Sequence, residues 1–236
     1  MENKDSRLIA GLKHTSRTAD LMCGDFSILP LFYHFGIELG FGDEAVEDTC
    51  ARYGISADLF ISMCKVYTMP GYVPDCSGFG KEDLRVVAEY VHQSHVYYLE
   101  RALPELDRCL DEVTGYYGEA NRKVLKKFYS DYRREVDKHF DYEEKTVLPY
   151  VRCLLAGGSD AGYSMADFED NHTDIEESLE DLKNIIIKYL PSGAPFELRY
   201  DLLSDIIRLG RELANHTVIE NRILVPIAMK IENDGR

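Results

Sequence analysis

With 236 residues, 45% hydrophobic and 29% charged, the chain is long enough for one sizeable helical domain plus a smaller module. Its 27 basic and 42 acidic residues leave a formal charge of −15, which repels phosphate backbones, and no Lys/Arg stripe offsets it, so no nucleic-acid partner is expected. No run of about 18 apolar residues occurs and the opening MENKDSRLIAGLKHTSR lacks the apolar stretch of a signal peptide, so a cytoplasmic location without a membrane partner is expected.

Residues 1–68 read as a small helical domain. His14 lies in a polar stretch with no pattern to order it, and His34 sits in the apolar run LFYHFGI, where packing is the simplest role. Cys23, Cys50, Cys64, Cys76, Cys109 and Cys153 are scattered without C-x-x-C spacing, the pattern of buried or idle thiols rather than a disulfide framework. Residues 69–80 carry Pro70, Gly71, Pro74, Gly78 and Gly80 and read as a linker.

Four long amphipathic segments follow over 81–236. The first carries Leu84, Val87, Val91, His95, Tyr98, Ala102 and Leu106 at three-four spacing and ends at Gly115 and Gly118. The second carries Leu125, Phe128, Tyr132, His139, Glu143, Val147 and Tyr150 and stops at Gly157 and Gly158. A third opens with Ser164 and Asp167 in capping-box spacing, runs through Phe168, His172, Ile175, Leu179, Leu182 and Ile186, and halts at Pro191. The fourth starts near Pro195 and aligns Leu202, Ile206, Leu209, Leu213, His216, Glu220, Leu224 and Ile227. Helices of about 30 residues, roughly 45 Å long, with short connections predict an all-α protein built on an antiparallel four-helix bundle.

The second and fourth segments share one pattern, H-x3-E-x5-P, as HFDYEEKTVLP and HTVIENRILVP. Residues i and i+4 of a helix share a face, so each copy presents an imidazole beside a carboxylate. His95, His139, Glu143, His172, His216 and Glu220 all fall on stripes that the periodicity assigns to the core. A lone inward histidine is usually a hydrogen-bonded core residue, but two buried carboxylates among four imidazoles need a countercharge that a cation supplies. Four nitrogens and two carboxylates suit two ions, each taking two histidines and sharing both glutamates, and N/O donors without thiolate point to iron or manganese. A rival set, Glu89-x-x-His92 with Glu169-x-x-His172, has the i, i+3 spacing of ferritin-like di-iron sites but leaves His95, His139 and His216 unused. With the His-rich set, Glu89 and Glu169 become solvated carboxylates or hydrogen-bond partners of a ligand imidazole. Tyr98, Tyr132 and Tyr142 offer hydroxyls in the interior, mostly as packing. No nucleophile-base-orienter set or phosphate-cradling glycine loop is present, which disfavours a self-contained metabolic enzyme.

The order His, His-x3-Glu, His, His-x3-Glu, with HVYYLERALPEL after the first histidine and an LP or VP pair closing each repeat, resembles the hemerythrin-like domain. Within that group it is most similar to the regulators of cell morphogenesis and NO signalling, also described as di-iron proteins for repair of iron centres. The resemblance implies a bundle holding two non-haem iron ions, oxo- or hydroxo-bridged, on His95, His139, His172, His216 and the bridging Glu143 and Glu220. It further implies O2 or NO as small ligand, a role in nitrosative or oxidative stress with iron-sulfur proteins as clients, and a possible homodimer. The other function class open to it is a di-iron sensor that signals to a partner. Oxygen-carrying hemerythrins have a further histidine one turn after the third-helix ligand, where this chain has Glu176. The segment ILPLFYHFGIELGFGDEAVEDTCARYGISADLFISM resembles the family's N-terminal domain, but Leu39-Gly40-Phe41-Gly42 stands where many members carry a Cys-Cys-Gly-Gly type motif. The glycine turn is present and the thiols are not. Cys23 and Cys50 nearby are expected as small buried residues.

Overall fold

The computed structural model describes residues 9, 11–158, 162–166, 168 and 176–234. Among these the chain is all-α; the β pairing is an isolated antiparallel bridge between Arg17 and Ala45. The helices are α1 (Thr18–Gly24), α2 (Leu29–His34), α3 (Val46–Arg52), α4 (Ala57–Thr68), α5 (Lys81–Tyr97), α6 (Leu103–Thr114), α7 (Glu119–Tyr142), α8 (Leu148–Leu155), α9 (Glu176–Lys188), α10 (Phe196–Ile219) and α11 (Val225–Asp234). They divide into two compact units: Met1–Gln93 with Tyr150–Glu169 and Asn215–Arg236, and Ser94–Pro149 with Asp170–Ala214.

In the first unit, Leu21, Leu31, Phe32, Val46, Leu59, Phe60 and Met63 are buried. Phe32 meets Phe60 edge-on at 5.2 Å between ring centroids, and the buried hydroxyls of Thr18 and Thr49 hydrogen-bond at 2.8 Å, so this pair carries no unsatisfied polar cost. Ser56 caps α4 by accepting from the Leu59 N–H at 3.4 Å. Gly40 and Gly42 adopt φ of 108° and 55°, a left-handed backbone that cysteine disfavours, so both glycines meet a conformational need. His14 is ordered, contrary to expectation: its carbonyl accepts from the Glu47 N–H at 3.0 Å at the start of α3, and its Nε2 lies 2.8 Å from Asp58 Oδ1. His34 is buried and meets Tyr90 edge-on at 5.4 Å.

The stretch 69–80 is hydrogen-bonded to the C-terminal segment of the same unit. Arg222 Nη1 donates to the Tyr72 carbonyl at 2.5 Å, Cys76 Sγ donates to the Arg222 carbonyl at 3.4 Å, and Lys230 Nζ donates to the Ser77 and Phe79 carbonyls. A proline- and glycine-rich segment has no helical ladder of its own, and here side chains satisfy its carbonyls.

In the second unit one apolar core draws on all four long segments. Leu103, Leu106, Leu110 and Val113 come from α6; Leu125, Tyr129, Tyr132, Val136 and Phe140 from α7; Leu179, Leu182 and Ile186 from α9; and Leu202, Ile206, Leu209 and Leu213 from α10. Their three-four spacing is what puts them on facing stripes, and each fully buried Leu or Phe contributes about 1.5–3 kcal/mol. Tyr129 donates its hydroxyl to the Leu103 carbonyl at 3.2 Å, which satisfies a polar group inside that core.

Among the described residues, three π turns interrupt the long segments, at Tyr98–Ala102, Glu143–Val147 and Glu220–Leu224. In each, the residue after the turn donates its N–H five residues back: Leu103 to Tyr98, Leu148 to Glu143 and Val225 to Glu220. The next residue is Pro104, Pro149 or Pro226. Proline supplies no N–H and its ring crowds the carbonyl four residues earlier, so a wider turn just before it lets the helix continue. The x5-Pro half of the repeated motif thus encodes a local bulge that begins at the glutamate.

Candidate metal centre

Glu143 opens the second π turn, and its side chain is 1% exposed. Helical i, i+4 spacing on α7 brings His139 Nε2 to 3.0 Å from Glu143 Oε1. His95, in the last turn of α5, reaches the other carboxylate oxygen, with Nε2 2.9 Å from Glu143 Oε2. One carboxylate therefore turns an oxygen toward each of two imidazoles. The His95 ring stacks on Phe140 at 4.4 Å with 27° between planes, and its Nδ1 lies 2.7 Å from Glu144 Oε1.

The first unit holds the matching pair from the second repeat. His216 near the end of α10 and Glu220 at the head of the third π turn are 1% and 0% exposed, with His216 Nε2 3.3 Å from Glu220 Oε1. His95, Glu143, His216 and Glu220 are all buried, and each offers a ligand atom of a kind that holds a metal ion.

These residues fit a cation on two physical grounds. A carboxylate only accepts, so Nδ1–H of His95 donates to Glu144, and the His95 Nε2 then faces an acceptor oxygen of Glu143 at 2.9 Å. Two acceptors at that distance repel unless a proton or a cation lies between them. Separations of 2.9, 3.0 and 3.3 Å between ligand atoms also match the edge of a coordination shell. Bonds of about 2.1 Å at right angles give an edge of roughly 3 Å. The donors are imidazole nitrogen and carboxylate oxygen, the set that suits iron or manganese.

His172 and Glu169 lie outside the described residues, as does the side chain of Glu176. Of the rival set, Glu89 is exposed and accepts from Gln93 Nε2 at 2.8 Å, and His92 is only half-buried. The carboxylate that bonds a histidine of the expected ligand set is Glu144, which the sequence reading did not single out. Its place next to Glu143, off the apolar stripe, reads as solvent-facing. The signal that could have found it is the doubled acid EE in one repeat against EN in the other. Tyr98 and Tyr132 are buried, Tyr98 packs against Phe140 at 5.3 Å between centroids, and burial pushes the Tyr132 hydroxyl well above its usual range.

The cysteines give one correction. Cys23 is exposed, not buried as expected, because α1 turns its Leu21 and Met22 inward instead. Cys50 is buried and its thiol is pushed up to about 12, while burial followed by the neighbouring Cys50 raises Cys64 well above its ordinary value. The thiolate is the reactive form, so at mildly alkaline pH a maleimide should modify Cys23 in the native protein within minutes and spare Cys50 and Cys64 until denaturant is added. Peptide mapping by mass spectrometry checks this; rapid native labelling of Cys50 or Cys64 would show that the N-terminal helices open readily.

A model of the hemerythrin HHE cation-binding domain matches residues 86–228. No curated protein matches the chain.

Proposed function

From the premise that the chain belongs to the hemerythrin HHE cation-binding domain family, whose match covers more than half of it, we propose that it is a non-haem di-iron protein that binds NO or O2 in nitrosative or oxidative stress and supports repair of iron-sulfur clusters. The observation that carries the di-iron reading is the posture of Glu143, one oxygen toward His139 and the other toward His95, which is how a carboxylate spans two ions. In this reading His95, His139, His172 and His216 supply nitrogen, and Glu143 and Glu220 bridge. The iron pair, when bound, supplies an exchangeable coordination position for a diatomic ligand. The chain's own residues orient it: Phe140 holds the His95 ring by stacking, and Phe140 in turn packs against the buried Tyr98 of the apolar core. Iron-sulfur client proteins and a homodimer belong to this proposal.

A specific observation favours a second reading, a di-iron sensor that signals to a partner without catalysis. Arg222 sits in the π turn that begins at Glu220, and through its side chain and carbonyl it is bonded to Tyr72 and Cys76 of the stretch that follows the N-terminal helices. Arg222 thus gives a change at Glu220 a bonded route to that stretch.

The two readings separate when NO is added to anaerobic, reduced, iron-loaded protein. Continuing NO consumption with an electron donor, together with restoration of a damaged iron-sulfur client, supports the first. A stoichiometric, reversible optical change with altered proteolysis within 69–80 supports the second. An unchanged spectrum overturns both.

A further inference from the structure

We infer that Glu144 is a positioning residue for His95: it holds the proton on Nδ1 and so commits Nε2 to ligation. The inference rests on the metal-binding reading above. Three observations carry it. The Nδ1 to Glu144 Oε1 distance of 2.7 Å is that of a charge-assisted hydrogen bond, and a carboxylate can only accept it. The opposite ring nitrogen points at Glu143 Oε2 from 2.9 Å, so one imidazole lies between a carboxylate that ligates and a carboxylate that orients. The ring is kept from swivelling by its stack on Phe140 at 4.4 Å. Glu144 itself is 28% exposed, so its charge remains partly solvated and adds little desolvation cost to the centre.

The two repeats differ at the position after the glutamate. Where the first repeat reads His139-x3-Glu143-Glu144, the second reads His216-x3-Glu220-Asn221, and Asn221 is exposed. A carboxylate on the far nitrogen strengthens an imidazole as a donor, so Glu144 strengthens His95 as a ligand.

The test compares wild type with Glu144→Ala and Glu144→Gln. Glutamine keeps an acceptor oxygen for Nδ1–H but removes the charge, and alanine removes both. Chelator competition with Fe(II) gives the metal affinity of each protein. The affinity should weaken by about 10- to 100-fold in Glu144→Ala, with Glu144→Gln between. In zinc-loaded protein, nitrogen-15 NMR should show a slowly exchanging His95 Nδ1–H in wild type and Glu144→Gln that exchanges rapidly in Glu144→Ala. Equal affinities in all three with an unchanged Nδ1–H would overturn the role of Glu144 while leaving the metal reading standing. Wild-type protein that holds neither iron nor zinc would overturn both.

Discussion

On the proposed di-iron reading, Glu143→Ala and Glu220→Ala should each strip iron from the protein, taking both ions and not one, because a carboxylate shared between two ions would serve both. Glu143 is the sharper case, since its two oxygens face His139 and His95 at 3.0 and 2.9 Å. The same site costs the metal-free chain stability. A carboxylate at 1% exposure loses its hydration, and a neutral isostere relieves that loss, so metal-free Glu143→Gln should be as stable as metal-free wild type or more so, by on the order of 1–4 kcal/mol. Iron-loaded wild type gains stability by mass action, about 4 kcal/mol at a free-metal level a thousand times the dissociation constant, and the variants should gain almost none. Metal analysis with paired melting curves checks this. Full occupancy in both alanine variants would remove the bridging assignment.

His95→Ala should weaken iron binding by more than the roughly 10- to 100-fold that follows loss of a ligand's outer hydrogen-bond partner, while His92→Ala should leave binding within error. The contrast tests which face of α5 the metal uses. His95 is 1% exposed and stacked on Phe140, whereas His92, three residues earlier, is half-buried and one turn from the exposed Glu89. Lost occupancy in His92→Ala, with the fold intact by circular dichroism, would speak for a ligand role and for the ferritin-like set.

The all-α, hemerythrin-like bundle was legible because its determinants are periodic and local. Leu125, Tyr129, Tyr132, Val136 and His139 on one segment and Leu202, Ile206, Leu209 and Leu213 on another recur every three or four residues, and glycine and proline punctuate the ends. The motif H-x3-E gave the imidazole-carboxylate contacts of His139 with Glu143 and His216 with Glu220 by helix geometry alone. What escaped the sequence depends on contacts that no period encodes. Glu144 is defined by a partner on α5, forty-nine positions earlier in the chain. The π turns are written in the distance from Glu143 or Glu220 to the following proline, and Tyr98 shows that the same turn forms without a glutamate at its head. Cys23 was misplaced because α1 is short enough that its apolar letters, Leu21, Met22 and Cys23, run consecutively and leave the buried face undecided. His14 was misread because what orders it is a hydrogen bond from the Glu47 backbone, which composition does not reveal.

The central claim, that two repeats of an imidazole-carboxylate pair build one di-iron centre, is tested most directly by counting metal in the intact chain. Protein reconstituted anaerobically with Fe(II), freed of loosely held ions and measured by elemental analysis against amino-acid quantitation, should carry two irons per chain, and Mössbauer spectra of the oxidised form should show the diamagnetic ground state of a coupled pair. A single iron per chain with the spectrum of an isolated ion, or none above the level bound by Glu143→Ala, would contradict the account.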